Sequence, residues 1–303
     1  MTELIVHHYP ESFFAEKIRR ILAYKNLPWR SVTQPILAPK PDLTPLTGGL
    51  RRVPVMQIGA DVYVDTACIA RRIERLHPEP ACFPPAQADL AGIVEDWADR
   101  RFVPQVVPSV VIALLPELPP GMLEDRARMS PALSEENLRR AAPYTLTQAL
   151  QSLDRLDAQL RGRRYLLGDA FTIADAACFH PVWFLRRSPR LAELVAARPN
   201  LSAWVGRIEG FGPGRVEPMA PAEALAIART FDPTDINGPE RTTVPGLTPG
   251  DAVAIMADDY GTEACQGTVL RLTAQEIAVR RHDPTLGEIA VHFPRIGYRI
   301  ARQ

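Results

Sequence analysis

Asp65 and Thr66 open a helical run that ends near Leu76, and a helix start leaves its first backbone N–H groups without partners. With the Thr66 hydroxyl beside them, those groups suit a carboxylate. Twelve residues upstream, Val53-Pro54 begins the run V-P-V-M-Q-I, and a Gly-Ala-Asp turn leads on into V-Y-V. Two short apolar, β-branched runs around such a turn predict a hairpin. Proline gives no N–H to a sheet, so Pro54 belongs at a strand's start, edge or bend. The Val53–Pro54 bond is also a candidate for the cis form. A kinked strand start exposes the N–H and C=O of Val53 to something other than a neighbouring strand. The stretch 53–66 thus reads as a cradle for a small peptide-like ligand.

The elements that must position this cradle follow from the patterning around it. Residues 3–8 read as a strand. Ser12 then sits at an N-cap position, with Phe14, Ile18, Ile21 and Leu22 at helical spacing behind it. Trp29–Thr33 is a second strand, parallel to the first because the helix serves as the crossover. An irregular stretch, 35–52, separates these from the hairpin and the helix 66–76. This order describes an α/β thioredoxin-like domain over 1–80, followed by a proline-rich linker, 77–85. An all-α domain follows over 86–212. Its expected helices cover Gln87–Leu115, bent or broken at Pro104 and Pro108, and Ser134–Leu160, with a leucine stripe that reads as core. Thr172 and Asp175 have a capping-box spacing that belongs to folding, and a last helix opens at Pro199. Residues 213–250 read as a linker that includes a short helix at 221–229. Residues 251–303 read as a small all-β, SH3-like domain, with strands at 268–272, 276–281 and 288–293.

Composition removes several classes of function. The chain has 303 residues and a formal net charge of zero, which does not suit a nucleic-acid surface. No apolar run reaches membrane-spanning length, and no secretory leader pattern is visible. Cys68, Cys82, Cys178 and Cys265 are scattered without metal-ligand spacing, so no metal is expected and a cytoplasmic location fits. The histidine pair His7-His8 and His180 read as structural, and Trp97 reads equally as core or as pocket lining. No Ser-His-Asp triad or phosphate loop is present.

Five features in order carry a resemblance. They are S-F-F-A-E-K-I-R at 12–19, Val53-Pro54, Asp65-Thr66, F-T-I-A-D at 171–175 and P-N-L-x-x-W at 199–204. Over residues 3–212 the chain resembles the cytosolic glutathione transferase family, with an extra β module appended. The first motif is similar to the omega class pattern C-P-F-A-E-R, and K-P-D at 40–42 is similar to that class's K-P-E. Ser12 replaces the omega cysteine, which excludes thiol–disulfide exchange at this residue, and Phe13 replaces the proline. Serine here resembles the theta and zeta classes instead.

The resemblance implies glutathione as a substrate and a small electrophile as its acceptor. Ser12 would donate to the glutathione sulfur. A thiol's pKa is around 8.5, and lowering it by about two units favours the thiolate by roughly 2.7 kcal/mol. A hydroxyl donor at a helix N-terminus is suited to that task. The Val53 backbone would pair with the cysteinyl unit, oriented by Pro54. Asp65 and Thr66, where the family has Glu-Ser, would hold the γ-glutamyl end, and Lys40 would meet the glycyl carboxylate. Tyr9 and Phe13 would line the acceptor pocket. A homodimer without nucleic-acid or membrane partners is the family expectation. Two alternatives stay open, a glutathione-dependent isomerase or peroxidase and a non-catalytic binding protein of the same fold.

Overall fold

The computed structural model describes residues 3–234, 246–261 and 263–303. The apolar run after Glu3 forms β1 (Ile5–His8), buried along its whole length. Helix α1 (Phe13–Tyr24) crosses over to β2 (Pro28–Thr33), which pairs parallel to β1 with Ile5 opposite Arg30. The stretch expected to be irregular contains one short helix, α2 (Thr44–Thr47), closed by Gly48 in the left-handed region. The hairpin is β3 (Val55–Ile58) and β4 (Asp61–Val64), with Val55 opposite Val64. Its turn is Gly59-Ala60, one residue tighter than the Gly-Ala-Asp reading, because Asp61 is already paired in β4. Helix α3 (Thr66–Leu76) follows.

The helical region contains α4 (Ala88–Trp97), α5 (Val103–Ala113), α6 (Met122–Met129), α7 (Glu135–Gln159), α8 (Ile173–Leu185), α9 (Pro189–Ala196) and α10 (Pro199–Glu209). The long helix expected over 87–115 is interrupted by a π-helical turn at Ala98–Phe102. The irregular turn ends two residues before Pro104, whose missing N–H and ring disfavour a regular i→i−4 bond there, while Pro108 lies inside α5. At α8 both halves of the capping box form between Thr172 and Asp175. Asp175 also accepts from Leu166 N at 2.8 Å and from Trp204 Nε1 at 2.9 Å, so one buried carboxylate ties the start of α8 to α10.

After α10 the chain adds β5 (Arg215–Pro218), which pairs parallel to β2, then α11 (Pro221–Thr230). The carboxy-terminal strands are β6 (Ala252–Ala257), β7 (Cys265–Leu272), β8 (Glu276–Asp283), β9 (Gly287–Pro294) and β10 (Tyr298–Arg302). They form an antiparallel meander whose last strand returns beside its first. β9 then pairs parallel to β4, with Val62 opposite Val291. Among the described residues the result is one ten-stranded sheet, in the order β10-β6-β7-β8-β9-β4-β3-β1-β2-β5. The proline- and glycine-rich stretch 231–250 falls largely outside the described residues.

The chain divides into two compact units. One comprises Met1–Ala15, Pro28–Arg72 and Arg215–Gln303, and the other Glu16–Leu27 and Ile73–Gly214. In the first, Leu43, Leu46, Val62 and Val64 share a single apolar core with Ile255, Val279, Val291 and Phe293. Burying such side chains stabilises by roughly 1.5–3 kcal/mol each, so the carboxy-terminal strands contribute heavily to that core. The contact is close: a Cβ placed on Gly48 would stand 2.7 Å from Cys265 Sγ. In the second unit Lys17 is fully buried, held by Glu95 at 2.8 Å and Asp99 at 2.7 Å, while Asp99 also meets His180 at 2.9 Å. Burial opposes the charge on Lys17, but the two carboxylates outweigh it and raise the pKa.

Candidate functional site

The first unit holds Tyr9, Ser12, Phe13, Lys40, Val53, Pro54, Asp65 and Thr66, the residues that the sequence assigns to glutathione and its acceptor. Ser12 immediately precedes α1, and its Oγ accepts the Ala15 N–H at 3.2 Å, the expected N-cap bond. The residue is nearly buried, at 5 % exposure. Phe13 follows with its ring against Phe14, and both are half-buried.

Val53 lies outside the sheet, since β3 begins only at Val55, and the Val53–Pro54 bond is cis. Neither its N–H nor its C=O has a partner among the described residues. Unpaired backbone groups next to a strand are ready to take an extended ligand as a further short strand. At the far end of the hairpin, Asp65 has φ +76°, in the left-handed region that side-chain-bearing residues rarely occupy. Such strain persists only where the surroundings hold it, and it gathers at functional sites. Asp65 Oδ1 accepts the Ala67 N–H at 3.1 Å, and Asp65 Oδ2 stands 3.5 Å from the Tyr298 hydroxyl. Thr66, the first residue of α3, is buried.

Lys40 is buried, its ammonium donating to the Pro35 carbonyl and standing 5.2 Å from the centre of the Tyr9 ring. Tyr9 accepts the Ser12 N–H through its carbonyl, so Tyr9, Ser12 and Lys40 are neighbours. His7 and His8 take structural roles. His7 bridges Gln57 at 2.9 Å and Gln34 at 3.2 Å, and burial lowers its pKa to about 4, so the ring is neutral. His8 meets Ser31 at 2.8 Å. His180 is fully buried beside Asp99, and Trp97 stacks with Phe102. The Glu16 and Lys17 part of the first motif is structural too, with Glu16 paired to Arg19 and Arg20.

Sequence reasoning does not reach the groups that β6–β10 bring to this region. Arg52, next to Val53, pairs with Asp259 and lies 3.8 Å from the centre of the Tyr260 ring. Arg51 meets Glu263 at 3.1 Å. Burial pushes the Tyr260 phenol up to about 12, and burial together with the charge of Asp65 raises that of Tyr298 well above its usual value. Both hydroxyls therefore keep their protons. More than two hundred residues separate some of these partners in the chain, so no local spacing could reveal them. Among the described residues no group of three or more His, Cys, Asp or Glu is placed to hold a metal ion. No helix there is long and apolar enough to cross a membrane.

A thioredoxin-like unit joined in one chain to an all-helical unit defines the fold class of the glutathione transferases. Residues 6–81 match the model of the glutathione S-transferase N-terminal domain, and 122–207 match that of the C-terminal domain. A glutathione S-transferase-like protein from Pseudomonas syringae is 38 % identical, over all of both chains, with a TM-score of 0.82. The chain belongs to the glutathione S-transferase family. More distant structures share the fold alone. One is a glutathione S-transferase from Rhodospirillum rubrum (20 % identity, 70 % of this chain and 90 % of that one, TM-score 0.55). Another, from Methylobacillus flagellatus, has glutathione bound (19 % identity, 70 % and 98 %, TM-score 0.54). Among curated proteins none matches this chain.

Proposed function

We propose that this protein binds glutathione in its thioredoxin-like unit and activates the thiol for attack on a small electrophile. The observation that carries this reading is Val53: a residue beside the cis Val53–Pro54 bond whose N–H and C=O have no partner among the described residues, close in sequence to a helix start that gathers Asp65 and Thr66. The backbone pair would take the cysteinyl unit, and Asp65 with Thr66 would take the ammonium and carboxylate of the γ-glutamyl end. Lys40 would meet the glycyl carboxylate, although its ammonium must then share itself with the Pro35 carbonyl. The Ser12 proton would point at the sulfur, with the N-terminus of α1 stabilising the thiolate. Tyr9 and Phe13, on either side of Ser12, would face the acceptor.

A second reading, binding without turnover, is favoured by one feature. The Ser12 hydroxyl is nearly buried and already committed to Ala15 as a cap. Isomerase or peroxidase chemistry would use the same thiolate and separates from transfer only by substrate. Four free, buried cysteines suit a cytoplasmic setting. Leu90 and Ile93 on α4, and Tyr144 on α7, are exposed apolar side chains that a second copy of the chain would cover in the homodimer. Calorimetric titration with reduced glutathione tests the reading. Binding with a Kd in the micromolar to low millimolar range is expected, and no heat at millimolar glutathione would remove both the catalytic and the binding forms.

A further inference from the structure

We propose that the carboxy-terminal strands complete the glutathione site, holding both ends of the cradle through Asp259, Tyr260 and Glu263 on one side and Tyr298 on the other. The inference rests on the glutathione reading above and adds positioning residues to it. Its starting point is that residues 50–54 belong to no helix or strand, so no ladder fixes the direction in which Val53 presents its N–H and C=O. The two residues just ahead of Val53 are anchored instead by side chains. Arg51 Nε meets Glu263 Oε1 at 3.1 Å, Arg52 meets the Asp259 carboxylate, and the Arg52 guanidinium lies over Tyr260, 3.8 Å from its ring centre. All three partners come from the connection between β6 and β7.

The other end of the cradle is Asp65, whose carboxylate would hold the γ-glutamyl ammonium. Its Oδ1 is taken by Ala67 N–H, and Tyr298 from β10 approaches Oδ2 at 3.5 Å. Tyr298 is buried, with its ring against Phe293 at 5.3 Å, so the hydroxyl has little freedom to turn away. Register explains why both anchors arrive together. Tyr298 is paired with Ala257, the last residue of β6, and Asp258 N donates to Gly297 O at 3.0 Å. The start of β10 and the β6–β7 connection are therefore the same edge of the module, and that edge carries every contact described here. Tyr298 fixes the carboxylate, and Tyr260 with Asp259 fixes the backbone that precedes Val53.

The test uses the full-length protein and calorimetry with reduced glutathione, alongside ligand-free thermal melting. Tyr298→Phe removes one hydroxyl and should weaken glutathione binding by about fivefold, the size of one ordinary hydrogen bond. Tyr260→Ala should weaken it by about tenfold through the loosened Arg52. Should Tyr260→Ala fail to fold, Arg52→Lys keeps the charge and removes the planar stacking, and the same direction is expected. In an Asp65→Ala background, titrated at correspondingly higher glutathione, Tyr298→Phe should cost nothing further, because it acts through Asp65. Wild type that binds, with variants that bind equally well, would overturn the inference and leave the glutathione reading standing. The same follows if Tyr298→Phe costs as much without Asp65 as with it. Wild type that does not bind would overturn both.

Discussion

Ser12 shows how much one hydroxyl can be asked to do. Its oxygen closes the first turn of α1 by accepting from Ala15, and in the proposed function the same hydroxyl would donate to the ligand sulfur. The two roles separate in one variant. Ser12→Ala should cost about 1 kcal/mol of stability as a lost cap. It should leave the glutathione Kd within about twofold, since the Val53 and Asp65 contacts persist. The pKa of the bound thiol should rise by about one to two units, and neutral-pH turnover should fall by roughly three- to twenty-fivefold in proportion to the lost thiolate. Ultraviolet thiolate absorbance titrated against pH, together with turnover, checks this. Equal ionisation in wild type and variant would leave Ser12 as a cap only. The type and place of Ser12 are legible in the sequence. The burial of Lys40 is not, because it depends on where the Pro35 carbonyl and the Tyr9 ring come to lie.

Two joints between elements rest on single buried side chains. His292 on β9 bonds Glu276 on β8 through Nδ1 at 2.8 Å and Asp61 on β4 through Nε2 at 3.0 Å, and it stacks on Tyr63. Arg72 also lies over the Tyr63 ring, 5.4 Å from its centre, and Thr234 caps Asp61. Burial opposes protonation of His292, but the two carboxylates outweigh it and raise its pKa. A raised histidine pKa contributes stability that is complete below the unfolded value of about 6.5 and is lost as pH climbs through the folded value. His292→Gln should therefore cost about 2 kcal/mol near pH 6, a few degrees in Tm, with a smaller deficit at pH 9. Melting curves across pH would expose the opposite trend if the joint were neutral. At α8, Asp175→Ala would orphan Leu166 N, Thr172 N and Trp204 Nε1, and about 3 kcal/mol should be lost. Urea unfolding would measure it, and a loss under about 1 kcal/mol would mean that water or new partners replace the carboxylate.

For the molecule as a whole, the decisive bond row is β4 against β9. It makes the β module a continuation of the thioredoxin-like sheet, with one apolar core running beneath both. Truncation after Gly250 would expose β4 as an edge strand and uncover Val62, Val64 and Leu46. We expect the shortened chain to aggregate or to melt many degrees lower. A soluble remainder with unchanged Tm would instead make residues 251–303 an independent module. Circular dichroism and size-exclusion chromatography decide between these.

The sequence by itself was enough for the local decisions: the hairpin around Gly59-Ala60, the caps at Ser12 and Thr172, the parallel β1-α1-β2 unit, and the carboxy-terminal strands. Each depends on spacing within a few residues, and hydrophobic period, turn chemistry and capping act at that range. It also put Val53-Pro54 and Asp65-Thr66 at the same end of one hairpin, because the two strands pair with Val55 opposite Val64. Only the tertiary structure decided that β9 lies beside β4 and that Tyr298 faces Asp65. Strand pairing between distant segments is selected by burial of a whole shared core, and alternation along β9 is equally compatible with a free-standing sheet. The extra strands are therefore legible as strands in one dimension, and as a continuation of the thioredoxin-like sheet over a shared core only in three.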